Sequence, residues 1–170
     1  MIQGVYSWLM WAIQPLLRSK LRRRGLKEPG YLEHIEERFG IYADAFKPSA
    51  HLEKSLQTCI WVHAVSLGET RAAEVLLQAL RAEYPHVRIV LTHGTATGRA
   101  LGKTLLKEGD VQVWQPWDTP AVVDKFLQHF QPNLAVVLET EVWPNWVAQC
   151  KRAHIPMVLV NARMSEKSML

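Results

Sequence analysis

From residue 58 onward, short runs of mostly apolar residues alternate with segments that are apolar on one side only. The runs are TCIWVHA (58–64), VRIVLTH (87–93), VQVWQ (111–115), LAVVL (134–138) and PMVLV (156–160). Their length and their Val, Ile and Leu content suit strands. Between the first two lies ETRAAEVLLQALRAE (69–83), with Ala72, Val75, Leu76, Ala79 and Leu80 on one predicted helical face. Thr97 to Lys107 reads as a second helix, ending near Gly109. Pro120 to Phe130 reads as a third, with proline in its first turn, and Pro144 to Arg152 as a fourth. Strands with no polar face need cover on both sides. Alternated with helices at this spacing, they imply an α/β fold with a parallel sheet between two helical layers. Right-handed crossovers make the layout Rossmann-like.

The chain has 170 residues, enough for one domain with a real core. Hydrophobic residues make up 48% and charged residues 21%, which excludes a disordered chain. Cys59 and Cys150 lie too far apart for a C-x-x-C redox pair, and two cysteines cannot build a disulfide scaffold. The net charge of +4 is local. Residues 1–30 hold six bases and one acid, and the remainder carries a net charge of −1. A nucleic-acid footprint across a folded face is therefore not indicated.

Residues 1–17 contain no charged side chain, and Arg18 opens a basic run through Lys27. A helix of that length spans roughly 25 Å, slightly less than the ~30 Å hydrocarbon core of a bilayer. A secretory signal would need basic residues before the apolar part and small residues after it. Neither is present. A membrane anchor, shallow or spanning, is the expectation, with a buried helix as its rival. Trp8 and Trp11 suit an interface, and the basic run suits anionic headgroups on the cytoplasmic side. Residues 1–20 are then the anchor. Residues 21–57 form a connecting helical segment, with a short helix at Glu33 to Phe39, and 58–170 form the Rossmann-like lobe.

Ligands of such sheets bind at the carboxyl ends of the strands. Five loops therefore matter. In the first, Ser66 and Glu69 have capping-box spacing. A helix N-terminus also favours an ionised Glu69, ready to accept a proton. Gly68 allows close approach of a ligand to the backbone. In the second, Thr95 and Thr97 either cradle an anion or cap the next helix. In the third, Asp118 or Thr119 can cap the helix that follows. The fourth holds Glu139 and Glu141 directly after a buried strand, and in extended backbone they point the same way. Two carboxylates buried together raise a pKa, a preparation for acid–base work. The fifth holds Asn161 and Arg163, the latter suited to a phosphate or to one of those glutamates. His63 reads as a core histidine. No compact histidine spacing indicates a metal, and neither a P-loop nor G-x-G-x-x-G occurs.

WVHAVSLGETRAA (61–73), THGTATG (92–98), PWDTP (116–120), LETEVWPN (138–145) and NARMSEKS (161–168), in that order, resemble the motifs of the 3-deoxy-D-manno-octulosonic acid (Kdo) transferases of lipopolysaccharide synthesis. The resemblance covers nearly the whole chain, including the N-terminal apolar segment with its basic flank. It implies the N-terminal lobe of a two-lobed glycosyltransferase B fold. It implies inverting transfer of Kdo from CMP-Kdo to a lipid A precursor at the cytoplasmic face of the inner membrane, with no metal or other cofactor. Glu69 matches the glutamate of the family's S-x-G-E motif, the base that deprotonates the acceptor hydroxyl. Glu139 matches the first glutamate of its E-T-E motif, a transition-state stabiliser, and Glu141 stands beside it with a structural or acceptor-binding role. Ser66, Gly68, Thr95, Thr97, Asn161 and Arg163 are further acceptor-side candidates. His93-Gly94 departs from a commoner Thr-rich start of the second loop. The chain ends just after the fifth motif, which leads us to expect a fragment whose donor-binding lobe is absent. The alternatives are an inactive or membrane-attached binding module of the same fold, and a transferase for another activated sugar.

Overall fold

The computed structural model describes residues 2–43 and 58–162. Five parallel strands form one sheet: β1 (Cys59–His63), β2 (Arg88–His93), β3 (Val111–Trp114), β4 (Leu134–Leu138) and β5 (Met157–Val160). Their spatial order is β3-β2-β1-β4-β5. The register lines Trp61 up with Val90 on one side and Ala135 on the other. Helices α3 (Leu67–Glu83), α4 (Ala96–Leu105), α5 (Pro120–Phe130) and α6 (Pro144–Arg152) make the connections.

Alternate strand residues feed two cores. Ile60, Val62, Ile89, Leu91, Val136 and Leu138 pack with Ala73 and Leu77 of α3. Trp61, Val90, Val113 and Ala135 pack with Phe126 and Phe130 of α5 and Trp146 of α6. The central strands β1, β2 and β4 are mostly apolar because both their faces are covered, whereas edge strand β5 stays partly exposed. Of the expected face of α3, Ala72, Leu76 and Leu80 pack against the first of these cores, while Val75 and Ala79 do not. The buried stripe of the helix runs through Thr70, Ala73 and Leu77, while Val75 is 69% exposed. Hydrogen bonds at the helix start seat Thr70 beneath β2, and Ala73 and Leu77 follow at helical spacing.

The N-terminal apolar stretch does not form one helix. It divides at Ile13 into α1 (Ile2–Ala12) and α2 (Gln14–Gly25), with Pro15 in the first turn of α2. Proline has no N–H to continue the ladder. Among the described residues no helix is long and apolar enough to cross a membrane. This corrects the spanning form of the expected anchor. The segment after α2 winds through two 3₁₀ turns, Pro29–Tyr31 and Ile35–Phe39. With Leu21 of α2 it closes a third core over Trp114 at the end of β3. Glu37 accepts the Trp114 backbone N–H at 2.9 Å and pairs with Arg99 at 2.7 Å.

Candidate functional site

The strand order reverses at β1, whose neighbours are β2 and β4. Loops leaving adjacent strands in opposite directions open a crevice there. The loops after β1 and β4 flank it, and they carry Glu69, Glu139 and Glu141.

Ser66 caps α3. Its Oγ accepts the Glu69 N–H at 3.3 Å and donates to Glu69 Oε1 at 2.9 Å. Glu69 Oε2 accepts the Val65 N–H at 2.8 Å. The capping box expected from S-x-x-E is present, with the carboxylate reaching back one residue beyond the cap. Each carboxylate oxygen keeps a lone pair, and the residue is 7% exposed at the crevice. Gly68 stands in the open first turn, where an added Cβ meets nothing nearer than Ser66 Oγ at 3.9 Å. The backbone is open to a ligand there.

The second loop is bound to the first. Gly94 N, Thr95 N and Thr95 Oγ1 all donate to the Val65 carbonyl, at 3.2, 3.0 and 2.9 Å. Thr95 also caps α4 by accepting from Gly98 N at 3.1 Å. Those amides are occupied within the protein, which favours the cap over the anion cradle. Thr97 faces solvent beside Thr95.

The fourth loop is not extended. Glu139 has φ of 59°, in the left-handed region, and its N–H donates to Val160 O at 2.9 Å. The backbone turns at once, with Val142 N donating to Thr140 O. The extended backbone on which Glu139 and Glu141 were expected to point the same way is therefore not formed. Glu141 is half-buried and accepts from Trp143 Nε1 at 3.0 Å. Burial raises its pKa, the indole bond opposes this, and the negative charge of Glu69 raises it further. The structure thus brings Glu141 into the field of Glu69 across the crevice.

Asp118 corrects the third loop. Thr119 holds the cap position of α5, and Asp118 braces α6 instead. Its carboxylate accepts from Asn145 N at 3.3 Å, Trp146 N at 3.1 Å and the Tyr6 hydroxyl at 2.7 Å. Burial lifts its pKa, and those donors hold it down. Ser7 donates to Asn145 Oδ1, and Trp117 Nε1 to Met10 O. The polar side of α1 is therefore seated on the rim of the lobe. Asn161 follows β5 with φ of 53°, exposed, and Arg163 lies outside the described residues.

Arg38 is a buried structural arginine that the sequence does not single out. It is buried over the Trp114 ring at 3.9 Å, and Nη2 donates to Gly94 O at 3.0 Å. Burial lowers its pKa to about 10. Its partners lie more than fifty positions away in the chain, so no local spacing marks it. His63 is a core histidine as expected, with Nδ1 against Thr92 Oγ1 at 2.8 Å. Among the described residues no group of three or more His, Cys, Asp or Glu could hold a metal ion.

The fold is an α/β lobe with a five-stranded parallel sheet, and it holds a braced carboxylate, Glu69, at its switch point. A profile of the 3-deoxy-D-manno-octulosonic acid transferase (kdotransferase) family matches residues 33–170. The chain is 38% identical to the 3-deoxy-D-manno-octulosonic acid transferase of Bordetella pertussis, over 98% of this chain and 39% of that protein. It is 34% identical to the one from Haemophilus influenzae, over 96% of this chain and 36% of that protein. It is also 34% identical to the probable mitochondrial one of Arabidopsis thaliana, over 98% and 36%. The chain belongs to this transferase family, and it spans less than two fifths of the length of these relatives.

Proposed function

We propose that this chain is the acceptor-side lobe of an inverting transferase that moves Kdo from CMP-Kdo to a lipid A precursor. Glu69 takes the proton from the acceptor hydroxyl as that oxygen attacks the anomeric carbon. The departing group is the cytidine phosphate. Glu139 steadies the transition state from the opposite side of the crevice. The transfer needs no metal, and a second lobe of a glycosyltransferase B fold supplies most of the donor site. The observation that carries this reading is the placement of Glu69. It sits at the switch point, its carboxylate fixed by Val65 N and Ser66 Oγ, beside open space over Gly68.

The same bonds favour a second reading, in which Glu69 serves only as a helix cap within a binding module. Glu69→Gln separates the two. A glutamine oxygen can accept from Val65 N, and its amide can donate to Ser66 Oγ, so the fold survives. General-base catalysis is worth about 10²–10⁴ in rate. In a transfer-competent protein carrying this sequence, kcat with CMP-Kdo and a lipid A precursor should fall by that factor. An unchanged kcat would leave only the cap, and preference for another activated sugar would redefine the donor.

The membrane face of this proposal rests on α1. No residue of α1 is buried, and Ile2, Val5, Trp8 (66% exposed), Leu9 and Trp11 (65%) face outward while Tyr6 and Ser7 bond to the lobe. Lys20, Arg22 and Arg23 are exposed on α2. Such a helix lies in an interface with its apolar side in lipid. It would seat the lobe on the cytoplasmic face of the inner membrane. The protein should float with vesicles containing anionic lipid and lose that association in Trp8→Ser/Trp11→Ser. Equal flotation of parent and variant would remove α1 from membrane contact.

A further inference from the structure

His93 ends β2 directly beneath the loop that presents Glu69, and it is completely buried. Its Nδ1 lies 2.9 Å from Ala64 O and 3.3 Å from Thr70 Oγ1. A carbonyl oxygen can only accept, so Nδ1 carries the proton and Nε2 carries the lone pair. The Thr70 hydroxyl spends its own hydrogen on Ser66 O at 2.8 Å, which leaves Oγ1 to accept from the same Nδ1–H. Ser66 and Val65 in turn hold the two oxygens of Glu69. One imidazole N–H thus reaches both ends of the segment from Ala64 to Thr70.

The surroundings fix the ring. Nε2 has no hydrogen-bond partner. A Cβ built on Gly102 of α4 would lie 2.2 Å from it, so a side chain there and the imidazole in this place exclude each other. Burial, then the charge of Arg99, outweigh the Ala64 bond and lower the pKa of His93 to about 4. The ring stays neutral and keeps its Nδ1–H tautomer at physiological pH.

The geometry points to His93 as a positioning residue for the transfer reaction: its Nδ1–H, with the ring space left by Gly102, sets the loop that aims the Glu69 carboxylate. This rests on the reading of Glu69 as the base.

The test has three parts. Nitrogen-15 NMR of the labelled histidines should show His93 as the Nδ1–H tautomer, and an Nε2–H tautomer would overturn the proposal outright. In a transfer-competent protein carrying this sequence, His93→Leu should lower kcat about 10- to 100-fold, the scale of a small misplacement of a reacting group. KM for the acceptor should stay within about twofold, since a misaimed base loses only transition-state contacts. His93→Asn, whose side-chain amide reaches the place of Nδ1, should restore kcat to near the parent value, which a purely space-filling role would not produce. If His93→Leu does not fold, Gly102→Ala takes its place, because it crowds the ring without deleting the donor and should also lower kcat at unchanged KM. Full kcat in a folded His93→Leu or Gly102→Ala, or no rescue by Asn, overturns the positioning role. Glu69→Gln in the same assay separates the two claims. If it is inactive while His93→Leu is fully active, only the positioning role falls. If it is fully active, the base falls and the positioning role with it.

Discussion

The two loops that face each other across the switch point are built in opposite ways. The loop after β1 is regular. Its serine caps, its glutamate returns to the backbone, and three donors from the next loop close on the Val65 carbonyl. The loop after β4 is irregular, with Glu139 in the left-handed region and Glu141 shifted by burial and by the charge opposite. The contrast teaches a division of labour. On the proposed reading Glu69 is the base, and the capped helix start holds its carboxylate in one place. On the same reading Glu139 answers charge developing in the transition state, from a backbone position in the left-handed region.

The largest effect should separate the two sides by rate. Glu69→Gln is expected to cost about 10²–10⁴ in kcat. Glu141→Gln removes a like charge from the field of Glu69 but keeps the Trp143 bond partner, so its cost should be well below that. A Glu141 variant as damaged as the Glu69 variant would reverse the assignment, making Glu141 the proton carrier.

Acid should weaken the β1 side first. His63 and His93 end β1 and β2, and burial lowers them to about 3 and about 4. In the unfolded chain each has an ordinary histidine pKa near 6.5. Above that value neither state binds the proton and the two imidazoles leave stability unchanged. Below it the unfolded chain takes up protons that the fold refuses. Stability therefore falls as pH drops, by about 1.4 kcal/mol per pH unit for each imidazole in full play. The raised Glu141 on the β4 side works the other way, since the fold binds its proton before the unfolded chain does. Urea unfolding between pH 7 and pH 5 should show the loss, and His93→Asn should lose less, so that parent and variant converge toward pH 5. Curves that stay parallel would mean that His93 is not held neutral.

The sequence carried most of this architecture because its cues are local. Apolar runs gave the strands, and helix starts were marked by S-x-x-E, by Pro120 and by Pro144. Glu69 was legible for the same reason, since its partners are Val65 and Ser66. What escaped depends on distant partners. Asp118 looks like a cap for α5 in sequence, yet it braces α6 and α1 from 27 and 112 positions away. Arg38 and Glu37 are two charges in a polar stretch until the fold lays them on Trp114. On α3 the expected Ala72, Leu76 and Leu80 pack on the core, but its most buried residues were missed, because Thr70 is polar and is drawn inward by hydrogen bonds. The N-terminal segment inverted the usual rule. Its polar residues dock and its apolar residues face out, so composition suggested a single anchor where the chain makes a split pair of helices.

The smallest effect is the most diagnostic of the β4 loop. At an ordinary backbone position glycine is less stable than alanine by roughly 0.5–1 kcal/mol, because it loses more conformational freedom on folding. In the left-handed region the order reverses, because a Cβ there costs about 1 kcal/mol that glycine avoids. Glu139→Gly and Glu139→Ala both delete the carboxylate and whatever it contributes, so their difference isolates the backbone. With φ of 59°, the glycine variant should be the more stable of the two. Denaturant midpoints measure this directly. Alanine ahead of glycine would mean that the loop carries no left-handed residue at 139 and that its irregularity lies elsewhere. Glycine ahead of alanine, combined with transfer activity lost in both, would show that the strain at this position is tolerated for the sake of the carboxylate it aims.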